Sequence, residues 1–124
     1  MVSLLQFTEG MVRLTVVLNV PARSAPRIQD AFRTLMRSTR LEPGCMDCQV
    51  WTGTNEDDGQ SRTQVHYEER WASERDVERR VRSPAFTKVL EVLEAATEPP
   101  HVEFDFVSRQ QGLDYVEAVR GQMQ

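Results

Sequence analysis

The chain has 124 residues, a formal net charge of −4, 40% hydrophobic and 27% charged residues. That is one domain's worth of chain, long enough to bury a core without disulfide staples. An acidic balance argues against a phosphate-binding surface, and no run of 18 apolar residues offers a transmembrane helix.

Residues 1–10, MVSLLQFTEG, carry no clear pattern and form either an arm or an extra edge strand. They lack the basic start and apolar run of a signal peptide, and with only two cysteines a cytoplasmic protein is expected. From Met11 to Leu18 the chain alternates. Val12, Leu14, Val16 and Leu18 share one face, with Arg13, Thr15 and Val17 on the other, which predicts a half-buried strand. Val20-Pro21 ends it. Ser24 then stands where a cap would, and Ile28, Ala31, Phe32, Leu35 and Met36 form one helical stripe. Glu42-Pro43-Gly44 stops this helix and turns the chain.

Cys45 to Thr52 reads as the second strand, the polar segment 54–61 as a hairpin loop, and Thr63 to Trp71 as the third strand. Ser73, followed by Glu74 and Asp76, opens a helix with Val77 and Val81 on one face. Ser83-Pro84 marks a second start, after which Phe86, Val89, Leu90 and Leu93 follow helical spacing. Pro99-Pro100 closes the broken helix. Val102, Phe104 and Phe106 alternate against His101, Glu103 and Asp105 as a fourth strand, and Gly112 precedes a last helix. The β-α-β-β-α-β order predicts an α+β, ferredoxin-like split βαβ fold. Its two helices cover one face of the sheet. Apolar residues on both faces of strands one and two predict that the other face meets a second subunit.

The arginine run Arg70, Arg75, Arg79, Arg80, Arg82 is interleaved with acids and reads as a solvated helix face laced with ion pairs. Cys45 and Cys48 form a C-x-x-C on a strand, where residues three apart point to opposite faces, so neither a metal site nor a bridge is expected. His66 has the opposite parity to Trp71 and belongs on the open face. Asp57-Asp58-Gly59 lacks the spacing and closing Glu of a calcium loop. Val65, Tyr67, Glu69 and Trp71 share one side of the third strand. If that side faces the helices, Trp71 and Tyr67 are either core packing or an aromatic wall for a flat ligand. Glu69 is either a desolvated general base or the partner of an arginine.

The chain resembles the antibiotic biosynthesis monooxygenase (ABM) family of dimeric α+β barrels. The resemblance rests on Glu42-Pro43-Gly44-Cys45, on Tyr67, Glu69, Arg70 and Trp71, and on Ser83-Pro84-Ala85-Phe86, in that order. It covers about residues 11–108, leaving the 1–10 arm and a helical extension at 109–124. It implies a homodimer paired through its sheets, with a pocket in each monomer between sheet and helices. It also implies oxygenation of a quinol or polycyclic aromatic without a cofactor, although other members degrade haem. Where quinol-oxidising relatives carry histidines, this chain has Arg80 and Ala85. Where the haem branch has its ligand histidine and its asparagine, it has Leu90 and Val12, so haem binding is not expected. Trp71 is kept.

On this resemblance Glu69 is the candidate base. Arg80, if it turns inward, stabilises an anionic substrate oxygen, and Trp71, Tyr67 and Phe86 line the substrate. The alternative is a non-catalytic dimeric barrel protein, for ligand binding or stress, that keeps the fold without turnover. No nucleic acid or membrane is expected as a partner.

Overall fold

A computed structural model describes residues 10–55 and 62–122. The expected arm at 1–10 lies outside these residues except for Gly10, as does most of the hairpin loop. In order come β1 (Met11–Pro21), a 3-10 turn (Ala22–Ser24), α1 (Ala25–Thr39), β2 (Cys45–Asn55), β3 (Arg62–Trp71), α2 (Glu74–Arg82), α3 (Phe86–Leu93), β4 (His101–Val107) and α4 (Leu113–Gly121).

The sheet runs β2-β3-β1-β4, every neighbouring pair antiparallel, which is the ferredoxin-like arrangement. Alternation places Val12, Leu14, Val16 and Leu18 of β1, and Val65, Tyr67, Glu69 and Trp71 of β3, on the face beneath the helices. All eight are 0–1% exposed. From above, α1 contributes Ile28 and Phe32, and α3 contributes Phe86 and Val89. Phe32 stacks on Tyr67 with ring centroids 4.5 Å apart.

Local chemistry explains most element ends. Ser73 caps α2, its Oγ accepting from the Asp76 amide at 3.1 Å. Ser24 does not cap α1 through its side chain; Pro26, in the first turn, does the local work instead. Ser83 does not cap α3 either. Its hydroxyl donates back to the Arg80 carbonyl at 2.7 Å, closing the end of α2. Nor is Leu90 part of the buried stripe of α3: it is exposed, and Val92 and Leu93 pack inward after Val89.

The larger departure is in β2. A bulge between Cys45 and Asp47 lets two residues oppose one on β3, so Cys45 pairs with Trp71 and Cys48 with Glu69. Both cysteines therefore lie on the helix side rather than on opposite faces, and Met46, the extra residue, is exposed. The open face of β2 is correspondingly less apolar than simple alternation suggests. That face carries an Arg13–Asp105 ion pair and a Trp51–His66 stack with centroids 5.1 Å apart. His66 thus stands on the expected side, and partial burial lowers its pKa.

Gly44 fixes how the turn before β2 meets α2. Its φ of +85° suits glycine, and a Cβ there would stand 2.3 Å from the Asp76 carboxyl carbon. The Gly44 carbonyl accepts from the Ala72 amide at 2.8 Å, and the Pro43 carbonyl accepts from Arg79 at 2.8 Å. The Glu42-Pro43-Gly44 stretch is thereby clamped to the lead-in of α2 through Ala72 and to its last turn through Arg79.

Candidate active site

Glu69 lies at the centre of the helix-covered face with no exposed surface. It reaches there by strand alternation. Val77 and Arg80, three apart on α2, bring the arginine down onto it. Each carboxylate oxygen accepts two hydrogen bonds. Oε1 accepts from the Trp71 indole N–H at 2.9 Å and from Arg80 Nε at 3.2 Å. Oε2 accepts from the Tyr67 hydroxyl at 2.5 Å and from Arg80 Nη2 at 2.9 Å. Four donors fill the acceptor capacity of a carboxylate, and the Nε/Nη2 pair is the bidentate fork that suits Arg to this task.

Arg80 is 2% exposed, far from a solvated helix face. Two further N–H groups are also engaged. Nη1 donates to Glu42 Oε2 at 2.7 Å, and Nη2 donates to Thr39 Oγ1 at 2.9 Å. The Thr39 hydroxyl in turn donates to the Leu35 carbonyl at 2.7 Å. The guanidinium carbon stands 5.4 Å from the Phe86 ring centroid and 5.9 Å from that of Trp71. Burial alone would lower the Arg80 pKa. The hydrogen bonds and charge of Glu69 outweigh it and hold the group above the ordinary guanidinium value.

Tyr67 donates to Glu69 and accepts from the Cys48 thiol, whose sulfur is 3.4 Å away. Burial, reinforced by the Glu69 charge, pushes the Tyr67 hydroxyl well above its usual pKa. Burial likewise pushes the Cys48 thiol up to about 12. Neither group ionises near neutrality. A chain of hydrogen bonds runs from Cys48 through Tyr67, Glu69 and Arg80 to Glu42, the one member with appreciable exposure.

All five candidate residues, Glu69, Arg80, Trp71, Tyr67 and Phe86, converge here. Three members escape sequence reasoning: Glu42, Thr39 and Cys48. The i, i+3 spacing of Val77 and Arg80 is the signal that would place the arginine inward. The bulge that turns Cys45 to the inner face has no comparable signal. Among the described residues, the expected pocket does not open at this point. Glu69, Tyr67 and Trp71 are 0% exposed, so no space that even a water can enter adjoins them. The Tyr67 hydroxyl serves Glu69 rather than an open site. Among the described residues, no group of three or more His, Cys, Asp or Glu side chains could hold a metal ion. Leu90 is 47% exposed on α3.

The sequence profile of the antibiotic biosynthesis monooxygenase family matches residues 11–92. The chain belongs to this family. A search of curated proteins gives no significant match. Among solved structures, a conserved protein of Methanosarcina mazei Go1 superposes with a TM-score of 0.65 at 17% identity, over 82% of this chain and 96% of the other. A Mycobacterium tuberculosis protein gives 0.64 at 17% identity, over 83% and 100%. A Caulobacter crescentus CB15 protein, provisionally assigned as an antibiotic biosynthesis monooxygenase, gives 0.59 at 19% identity, over 82% and 92%. At these identities the structural likeness speaks for the fold alone. The ABM profile ends at residue 92, so β4 and α4 lie beyond the matched segment.

Proposed function

We propose that this chain is a non-catalytic ABM-family protein, a homodimeric α+β barrel in which the Glu69–Arg80 centre holds sheet and helices together. One observation carries this reading: both Glu69 oxygens are already saturated, by Tyr67, Trp71 and Arg80, with no surface left for a substrate. A general base needs a free lone pair within reach of the proton it takes. This carboxylate has none, and Arg80 holds it through a bidentate pair. The homodimer is supported by the sheet face opposite the core helices, where Val17 and Trp51 stand among polar neighbours.

The second reading is a cofactor-independent oxygenase for a quinol or polycyclic aromatic, supported by family membership and by the convergence of all five candidates. There Glu69 is the base, Arg80 holds the phenolate oxygen, and Trp71, Tyr67 and Phe86 form the wall. That chemistry requires Arg80 to leave Glu69 and a cavity to open beside Trp71. Oxygen uptake with a panel of hydroquinones and anthrones separates the two. The proposed reading predicts rates equal to buffer. Saturable uptake that disappears in Glu69→Gln establishes the oxygenase instead. Sedimentation showing only monomer at micromolar concentration would remove the homodimer from either reading.

A further inference from the structure

Apolar surface left exposed in this molecule is concentrated in two places. Of the twelve exposed large apolar side chains among the described residues, four lie on α2 and β4 and four on α4. Three of the first set, Val81, Phe104 and Phe106, join Val77 in lining a groove of about 320 Å³ between α2 and β4, together with Glu78 and Arg82. It exists because the helices do not extend over the outer strand. Phe104 and Phe106 pair with Leu14 and Val12 and so point to the helix side, yet they are 37% and 59% exposed. Val77 lines the groove from α2 and is packed beneath against buried Val12 and Trp71.

The second set is the face of a helix. On α4, Leu113, Tyr115, Val116 and Val119 fall within an arc of about 160° at 3.6 residues per turn, with Asp114 and Glu117 outside it. Every residue of α4 is exposed, so this apolar face has no partner among the described residues. A helix this short is marginal in water without tertiary packing.

We propose that α4 of a second copy of this chain docks its apolar face into the groove between α2 and β4, and that the exchange is reciprocal. This rests on the homodimer reading and assigns it a contact besides the open sheet face. Three features favour a second copy over other occupants. The groove and the helix carry matching apolar sets of similar size. Their charges complement: Arg120 at the edge of the α4 face suits Glu78, and Asp114 and Glu117 suit Arg82. In its own chain α4, which follows the connector 108–112, contributes no residue to the lining of the groove. A two-fold exchange makes two such contacts at once, the self-complementary geometry of a closed dimer.

The test compares the full chain with V116D/V119D by sedimentation equilibrium. These positions are exposed, so circular dichroism and the unfolding midpoint of the monomer should hold. The expected result is a dimer dissociation constant raised at least ten-fold. An unchanged constant overturns the docking and leaves the homodimer standing, held elsewhere. A monomeric wild type overturns both. In a Cys45→Ser background, a tagged Val81→Cys chain is then mixed with an untagged Val116→Cys chain and treated with a short bismaleimide. A product of the two masses combined is expected. Its absence, with efficient linking only inside a chain carrying both substitutions, shows that α4 folds onto its own groove and overturns the proposal.

Discussion

The Glu69 centre and the α2–β4 groove lie on the same side of the same sheet and are opposites in one respect. Around Glu69 the donors and acceptors match almost one for one, and nothing faces solvent. Across the outer strand, Phe104 and Phe106 present aromatic surface that the described residues leave partly open. Both regions arise from the alternation that also builds the core. The difference is where α2 sits: Arg80 and Val77 press on β3 and β1, leaving β4 beyond their reach. A filled centre serves stability. On the proposed docking, an unfilled edge serves association. The family resemblance directs attention to the first, whereas the surface that can still change its contacts is the second.

The sharpest break of this contrast is Arg80→Ala. It strands a buried carboxylate, and leaving one partner of a buried ion pair alone costs about 3–5 kcal/mol. Urea unfolding should show most of the domain's stability gone. A loss below about 1 kcal/mol would mean that Glu69 has water or another cation at hand. Gly44→Ala comes next. The positive φ and the approach of Asp76 together predict a loss of about 2 kcal/mol, read as a lowered unfolding midpoint. Tyr67→Phe removes one donor to Glu69 and the acceptor of the Cys48 thiol. A hydrogen bond to a charged group is worth about 1.5–3 kcal/mol, and the lower end is expected because three donors remain.

The alkaline limb sharpens the same point with a smaller effect. Folding raises the Cys48 pKa from 9.0 to about 12 and raises that of Tyr67 as well. The unfolded chain therefore loses these protons first. The contribution of these two groups to stability should be constant below about pH 9 and fall as pH rises from there toward 12. A Cys48→Ala/Tyr67→Phe double variant should show a flatter alkaline limb in urea midpoints measured at pH 8 and 10.5. An equally steep fall would assign it to other groups.

Much of the centre is legible in the sequence because β-strands have a strict period of two. Val65, Tyr67, Glu69 and Trp71 share a face whatever the tertiary context, and the order of elements leaves few sheets for them to join. Arg80 is harder to read. Its neighbours alternate in charge, which suggests a solvated surface, and only its spacing from Val77 points inward. The bulge at Cys45 is not legible at all, because one inserted residue shifts every later parity in β2 without altering its composition. Nor does the pattern of β4 reveal what covers it. Alternation shows which residues share a face, and the length and tilt of α2 determine whether that face is buried.

Glu69→Gln, examined for unfolding and for oxygen uptake side by side, tests the central claim most directly. The substitution keeps the shape and removes the charge that pairs with Arg80. If the centre is structural, the urea midpoint falls clearly, and neither protein consumes oxygen above buffer with hydroquinones or anthrones. Uptake by the wild type that is lost in the variant, with the midpoint unchanged, would make Glu69 a working base and contradict the account.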